Sequence, residues 1–143
     1  MITHLSSDDH RVMKELGIEH AITVTGYCTP EQVSLYFTNA TACVLPFKDG
    51  VSLRRTTFIT ALRHGLPVVT TTGENVPDVL KNWENVILTP ISDYQAMSDA
   101  ILKLFHNPSL RNKISDNARE LGKCFSWDNI GLQHVALYSS MLT

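Results

Sequence analysis

Residues 46–72, PFKDGVSLRRTTFITALRHGLPVVTTT, leave a chain of this kind few ways to fold. Just upstream, Ala42-Cys43-Val44-Leu45 is a short apolar run that Pro46 halts, because proline has no N–H to give a central strand. Lys48-Asp49-Gly50 is turn chemistry, and Gly50 can take a positive φ at little cost. Ser52 is placed to N-cap the helix that follows. In that helix Phe58, Ala61 and Leu62 fall at i, i+3, i+4 and form one apolar face. Gly65 stands where a C′ residue belongs, and Pro67 prevents continuation. Val68-Val69 then reads as a strand buried on both faces, as parallel sheets require. Strand, loop, helix, strand is a βαβ unit.

Such a unit puts its loop and helix N-terminus at the carboxyl edge of the sheet, where open α/β folds bind ligands. Free N–H groups and the helix dipole favour an anion there. Arg54 and Arg55, expected in the first helical turn, would add two permanent charges able to grip phosphate. Two solvated arginines at a helix start are the competing reading. Against it, cations in a first turn oppose the dipole.

Spaced features over about a hundred residues make the chain resemble the donor-binding C-terminal domain of GT-B, group 1 (family 4-like) retaining glycosyltransferases. They include Pro46, the Asp49-Gly50 loop and Gly65-Leu66-Pro67-Val68-Val69. Val24-Thr25-Gly26-Tyr27 is similar to the family's turn before its P-E-x-x-x-x-Y helix, here Pro30 to Tyr36. Asn75-Val76-Pro77-Asp78 resembles the G-x-P-E turn, and Phe125-Ser126-Trp127 the F-S-W start of the final helix. The departures mark a divergent subgroup. Ser52 and Thr60 occupy the positions of the two family glutamates, and Arg54 and Arg55 those of the glycines after the first.

The resemblance implies a Rossmann-like parallel sheet with flanking helices, and sugar transfer from a UDP-, GDP- or ADP-sugar with retention. Its implied donor-binding set is Gly26, Tyr27, Asp49, Gly50, Val51, Ser52, Arg54, Arg55, Thr56 and Thr60. Gly50, Val51 and Ser52 would let backbone approach the diphosphate or sugar, with Arg54 and Arg55 as the charge sources. Gly26, Tyr27 and Thr60 would lie nearer base and ribose. Without a strand-end Asp-x-Asp, no essential metal is expected, nor any cofactor. The resemblance also implies that residues 1–143 are most of one half of a two-domain enzyme. An N-terminal acceptor domain, the base catalyst and the first strand or strands of this domain are expected elsewhere, so the isolated chain is expected to be inactive. A truncated edge would invite self-association. Alternative readings are a non-catalytic nucleotide-binding or interaction domain of the same fold, and a nucleotide-sugar epimerase or hydrolase.

The remainder of the chain fits that frame. With 143 residues it is long enough for one domain with a sizeable core. A net charge of −2 gives no electrostatic case for nucleic acid or an anionic membrane. No run approaches the roughly 18 apolar residues of a membrane span. His4, Asp8, Asp9 and His10 are foreign to a secretory leader, so the expected location is cytoplasmic or peripheral to a membrane. Cys28, Cys43 and Cys124 have neither disulfide-framework nor zinc spacing.

Parallel strands are predicted at residues 21–25, 41–45, 68–71 and 86–88. A short helix is expected from Ser6 to Gly17, its Asp8 and Asp9 serving the dipole rather than a metal. Thr29-Pro30-Glu31-Gln32 is a capping box, opening a helix with Val33, Tyr36, Phe37 and Ala40 on one face, so Tyr36 and Phe37 are expected in the core. A short helix is expected between the last two strands, followed by three more. The first carries Met97, Ala100, Ile101 and Leu104 on one face, the second Leu110, Ile114, Ala118 and Leu121. The third, capped by Ser126, aligns Trp127, Ile130, His134, Leu137, Tyr138 and Met141. His134 is read as a packing histidine, and His64 as a helix C-terminal cation.

Overall fold

The computed structural model describes residues 5–142. They form two compact units that part within one helix, between Tyr36 and Phe37.

The first unit carries α1 (Ser7–Glu15), a 3-10 turn (Glu19–Ala21) and most of α2 (Pro30–Asn39). Ser6 caps α1 in a reciprocal box: its hydroxyl accepts from the Asp9 N–H, and the Asp9 carboxylate accepts from the Ser6 N–H at 2.8 Å. Those Ser6 bonds hold the Asp9 carboxyl below its ordinary range. Asp8 pairs with Arg11 instead, so both acids serve the helix start as expected. Thr29 and Gln32 form the expected box at α2. The strand expected at residues 21–25 is not there: Ala21 ends the 3-10 turn and residues 22–25 are irregular. Ile22 is extended, but a strand exists only through its ladder, and none forms here among the described residues. Tyr36, expected in the core, is exposed.

The second unit holds a three-stranded parallel sheet, β1 (Cys43–Leu45), β2 (Val68–Thr71) and β3 (Ile87–Thr89), in the order β1-β2-β3. Its helices are α3 (Thr56–Arg63), α4 (Tyr94–His106), α5 (Pro108–Lys123) and α6 (Trp127–Met141). Every neighbouring strand pair is parallel, as the βαβ pattern demands. Central β2 is buried along its whole length. Its successive residues serve opposite faces: Val68 joins a cluster with Phe58, Leu62 and Ala118, and Val69 one with Met97, Ala100, Leu104 and Ile114. The result is a Rossmann-like layered domain.

Residues 74–85, where a short helix was expected, make turns closed by the Leu80 N–H on the Pro77 carbonyl. Asp93 caps α4 and Asn107 caps α5, each through its side chain. Ser126 caps α6 likewise, yet none of that helix is buried, and Trp127, Leu137, Tyr138 and Met141 are exposed. Of the apolar face predicted for α6, only Ile130 is half-buried and the rest is exposed. His134 is exposed rather than packed, its Nδ1 2.8 Å from the Ile130 carbonyl.

Candidate functional site

Three threonines build the carboxyl edge of the sheet. The Thr70 hydroxyl donates to the Leu45 carbonyl at 2.7 Å, and the Thr71 hydroxyl to the Phe47 carbonyl at 2.6 Å. The Thr89 hydroxyl donates to the Thr70 carbonyl at 3.2 Å. All three side chains are buried, so each carries its own hydrogen bond into the core and ties neighbouring strand ends together. The Thr71 carbonyl then accepts from the Val51 N–H at 2.9 Å, which fastens the loop after β1 across the end of β2.

That loop carries the residues singled out by sequence. Gly50 has φ of 81° and its backbone packs on Gly73, as the turn chemistry of Lys48-Asp49-Gly50 requires. Ser52 does not cap α3. Its hydroxyl accepts from the Arg54 N–H at 3.3 Å and its carbonyl from the Arg55 N–H, forming a separate turn. The helix starts three residues later than predicted, with Arg55 as N-cap and no side-chain cap. Hence Arg54 and Arg55 precede the first helical turn, and Thr56 opens it. The N–H groups of Thr56, Thr57 and Phe58 have no intrahelical acceptor, since the first helical bond runs from Ile59 to Arg55.

The two arginines have different surroundings. Arg55 pairs with both carboxylate oxygens of Asp49 and lies over the Phe47 ring, 4.5 Å from its centroid. It closes the loop on itself. Arg54 is exposed, with no ion pair among the described residues. Thr60 turns its hydroxyl inward, donating to the Thr56 carbonyl at 2.8 Å, which leaves its oxygen only an accepting role.

A cavity of about 410 Å³ opens beside the loop, lined by Lys48, Asp49, Val51 and Ser52 on one side. Glu74, Asn75 and Ile91 line it as well. The structure thus brings Asp49, Gly50, Val51, Ser52, Arg55 and Thr56 into one loop and helix start. Arg54 stands on the same loop outside the cavity lining, and Thr60 one turn along α3. Gly26, with φ of 65°, and exposed Tyr27 belong to the first unit. Sequence reasoning gave no site role to Glu74 or to Asn75, although Asn75 opens the turn that resembles the family's G-x-P-E. Their signal was Thr72-Gly73-Glu74-Asn75, turn-forming residues directly after a buried strand. No group of three or more potential metal-ligating side chains occurs among the described residues.

The family of glycosyl transferases group 1 matches residues 10–121. The chain belongs to that family. It is 25% identical over 135 residues to the MMP alpha-(1->4)-mannosyltransferase of Mycolicibacterium hassiacum, covering 92% of this chain and 32% of that protein. Among solved structures it resembles a sucrose-phosphate synthase from Thermosynechococcus elongatus, with TM-score 0.79 and 23% identity over 96% of this chain and 35% of the other. It also resembles the C-terminal domain of a group 1 glycosyl transferase from Francisella tularensis, with TM-score 0.71 and 19% identity over 82% of this chain and 60% of the other. The fold is that of a GT-B C-terminal domain. The chain spans about a third of the mannosyltransferase's length.

Proposed function

We propose that this chain is the donor-binding domain of a retaining glycosyltransferase, holding a nucleotide-diphosphate sugar for an acceptor presented by a second domain of the full-length protein. The supporting observation is the pairing of two unlike surfaces at the carboxyl edge of the parallel sheet. The uncapped N-terminus of α3, with Arg54 beside it, suits a diphosphate. The adjoining cavity offers carboxylates, an amide and a hydroxyl from Asp49, Glu74, Asn75 and Ser52, which suit the hydroxyl groups of a sugar.

The chemistry follows from where charge develops. Loss of the nucleoside diphosphate from the anomeric carbon leaves a sugar with oxocarbenium character and builds negative charge on the β-phosphate. Backbone N–H groups at the start of α3, joined by the Arg54 guanidinium, stabilise that charge more than the ground state, which is the condition for catalysis. Arg55 contributes by fixing the loop through Asp49 and Phe47 rather than by gripping phosphate.

Titration of UDP, GDP and ADP into the chain, followed through the amide signals of Gly50, Val51 and Gly73, tests this reading. Saturable binding by at least one nucleotide, weakened by Arg54→Ala, is expected. Absence of binding by all three would remove the donor assignment and leave the fold.

A further inference from the structure

The amino edge of the sheet, at the other end of its strands from the cavity described above, carries a hollow of about 240 Å³. Thr41 and Pro67, which line it, stand just before β1 and β2. From α5 it is lined by Arg111, Ser115 and Arg119, spaced four residues apart and so on one face of the helix. His64 and Gly65 reach it from the C-terminal end of α3. No aspartate or glutamate lines it among the described residues, whereas Asp49 and Glu74 both line the cavity at the carboxyl edge. In a chain of net charge −2, this surplus of positive charge is local.

Carbonyls at the end of α3 would oppose an anion here, but they already have their donors. The N–H groups of His64, Gly65 and Leu66 donate to the carbonyls of Thr60, Leu62 and Ala61. The Ser115 hydroxyl donates to the Gly65 carbonyl at 2.6 Å. Donors, by contrast, are left over. Arg111 uses Nη1 on the Leu104 and Phe105 carbonyls, at 3.3 and 3.1 Å. Its Nη2 and Nε have no acceptor among the described residues. Arg119 has one partner among the described residues, Asp116 at 3.5 Å, in an exposed pair worth little. Its guanidinium presses on Gly65, where an added Cβ would stand 2.7 Å from Nη2. That contact holds the group over the end of α3.

Guanidinium groups with spare N–H edges take oxyanions through paired hydrogen bonds. We propose that this hollow binds a small phosphorylated anion, gripped by Arg119 with Arg111 as the second cation. The two arginines stem from points roughly 12 Å apart along α5, so an anion with two phosphoryl groups meets both better than a single phosphate does. The site is independent of the donor-binding reading, which concerns the opposite edge.

The experiment titrates inorganic phosphate and pyrophosphate into the whole chain against chloride at matched ionic strength. The amides of Gly65 and Leu66 and the Nε–H signals of Arg111 and Arg119 report the hollow. Saturable shifts with both anions, tighter for pyrophosphate, are expected. Arg119→Ala should weaken pyrophosphate roughly three- to tenfold, between the loss of an exposed ion pair and that of a charge-assisted hydrogen bond. Arg119→Lys keeps the charge without the fork and should fall between, which also serves if the alanine variant disturbs the end of α3. Arg54→Ala should leave these shifts unchanged, while the amides of Gly50, Val51 and Gly73 separately report any phosphate bound at the carboxyl edge. No shift at Gly65 and Leu66, shifts that chloride reproduces, equal affinity for the two anions, or an unchanged response in both Arg119 variants overturns the proposal.

Discussion

The backbone of Gly73 occupies the space where any residue other than glycine at position 50 would carry its side chain. A Cβ built on Gly50 would stand 2.6 Å from the Gly73 Cα and 2.9 Å from the Thr72 carbonyl oxygen. The contact sets how closely the loop after β1 approaches the end of β2, and thereby the shape of the cavity between Ser52 and Glu74.

Gly50→Ala meets both a steric and a conformational obstacle, since φ is 81° and the clashing atoms are backbone. A loss of about 2–4 kcal/mol is expected, the range of overpacking combined with a strained left-handed residue. Gly73→Ala faces only 2.9 Å to the Asp49 carbonyl oxygen and no positive φ, and should cost less. Urea unfolding of both variants checks the order. Equal stability of Gly50→Ala and wild type would show that the loop yields freely.

Thr71→Val preserves shape but removes the hydroxyl that donates to the Phe47 carbonyl. The Phe47 carbonyl then keeps only the longer bond from the Gly50 N–H at 3.4 Å, so a loss of about 0.5–1.5 kcal/mol is expected. Because the Thr71 carbonyl holds the Val51 N–H, the loop should loosen with it. Hydrogen exchange at Val51 should accelerate relative to Leu62, whose N–H lies within the α3 ladder. Unchanged protection at Val51 would mean that the hydroxyl does not restrain the loop.

Burial on β1 pushes the Cys43 thiol up from 9.0 to about 11. The unfolded chain therefore ionises this thiol first as pH rises, and the native state binds the extra proton between pH 9 and 11. Stability falls across that window. The difference is on the order of 1–2 kcal/mol, after allowance for partial exposure. Comparison of wild type with Cys43→Ala isolates the effect from other groups that titrate there. Parallel stability profiles from pH 8.5 to 11 would refute it. At pH 8, exposed Cys124 should react with a thiol reagent well before Cys43.

Most of the second unit was legible because local and tertiary signals agree there. Gly65 takes φ of 65°, with Leu66 bonding back to Ala61 and Gly65 to Leu62, the helix ending that its sequence announces. Phe58, Ala61 and Leu62 are buried as their spacing requires. What failed depended on partners that local pattern does not reveal. Residues 21–25 have strand-like composition but no ladder among the described residues, and of the apolar residues of α6 only Ile130 is half-buried. At the site, Ser52 had two uses for one hydroxyl, and the turn prevailed over the cap. That moved both arginines ahead of the helix and let Asp49 reach Arg55, an ion pair six residues apart that no periodicity encodes.

That separation of the arginines gives the sharpest prediction. Arg54 is solvated, so Arg54→Ala should change stability by less than about 0.5 kcal/mol. If its guanidinium meets the diphosphate, the same variant should lose about 1.5–3 kcal/mol of nucleotide binding, a ten- to hundredfold drop in affinity. Arg55 should behave in the opposite sense. Its partner Asp49 is largely exposed, Arg55 itself is half-buried and its ring contact is modest, so Arg55→Ala should cost roughly 1 kcal/mol of stability. Its effect on nucleotide affinity should stay within about threefold, near half a kcal/mol. Asp49→Asn provides the third arm. It frees Arg55 from its carboxylate, so it should reproduce part of the stability loss while leaving nucleotide binding intact or tighter. Isothermal titration with UDP, GDP and ADP, paired with urea unfolding of each variant, measures both quantities. A large affinity loss in Arg55→Ala with none in Arg54→Ala would exchange the two roles, making Arg55 the phosphate ligand and Asp49 the group that phosphate displaces.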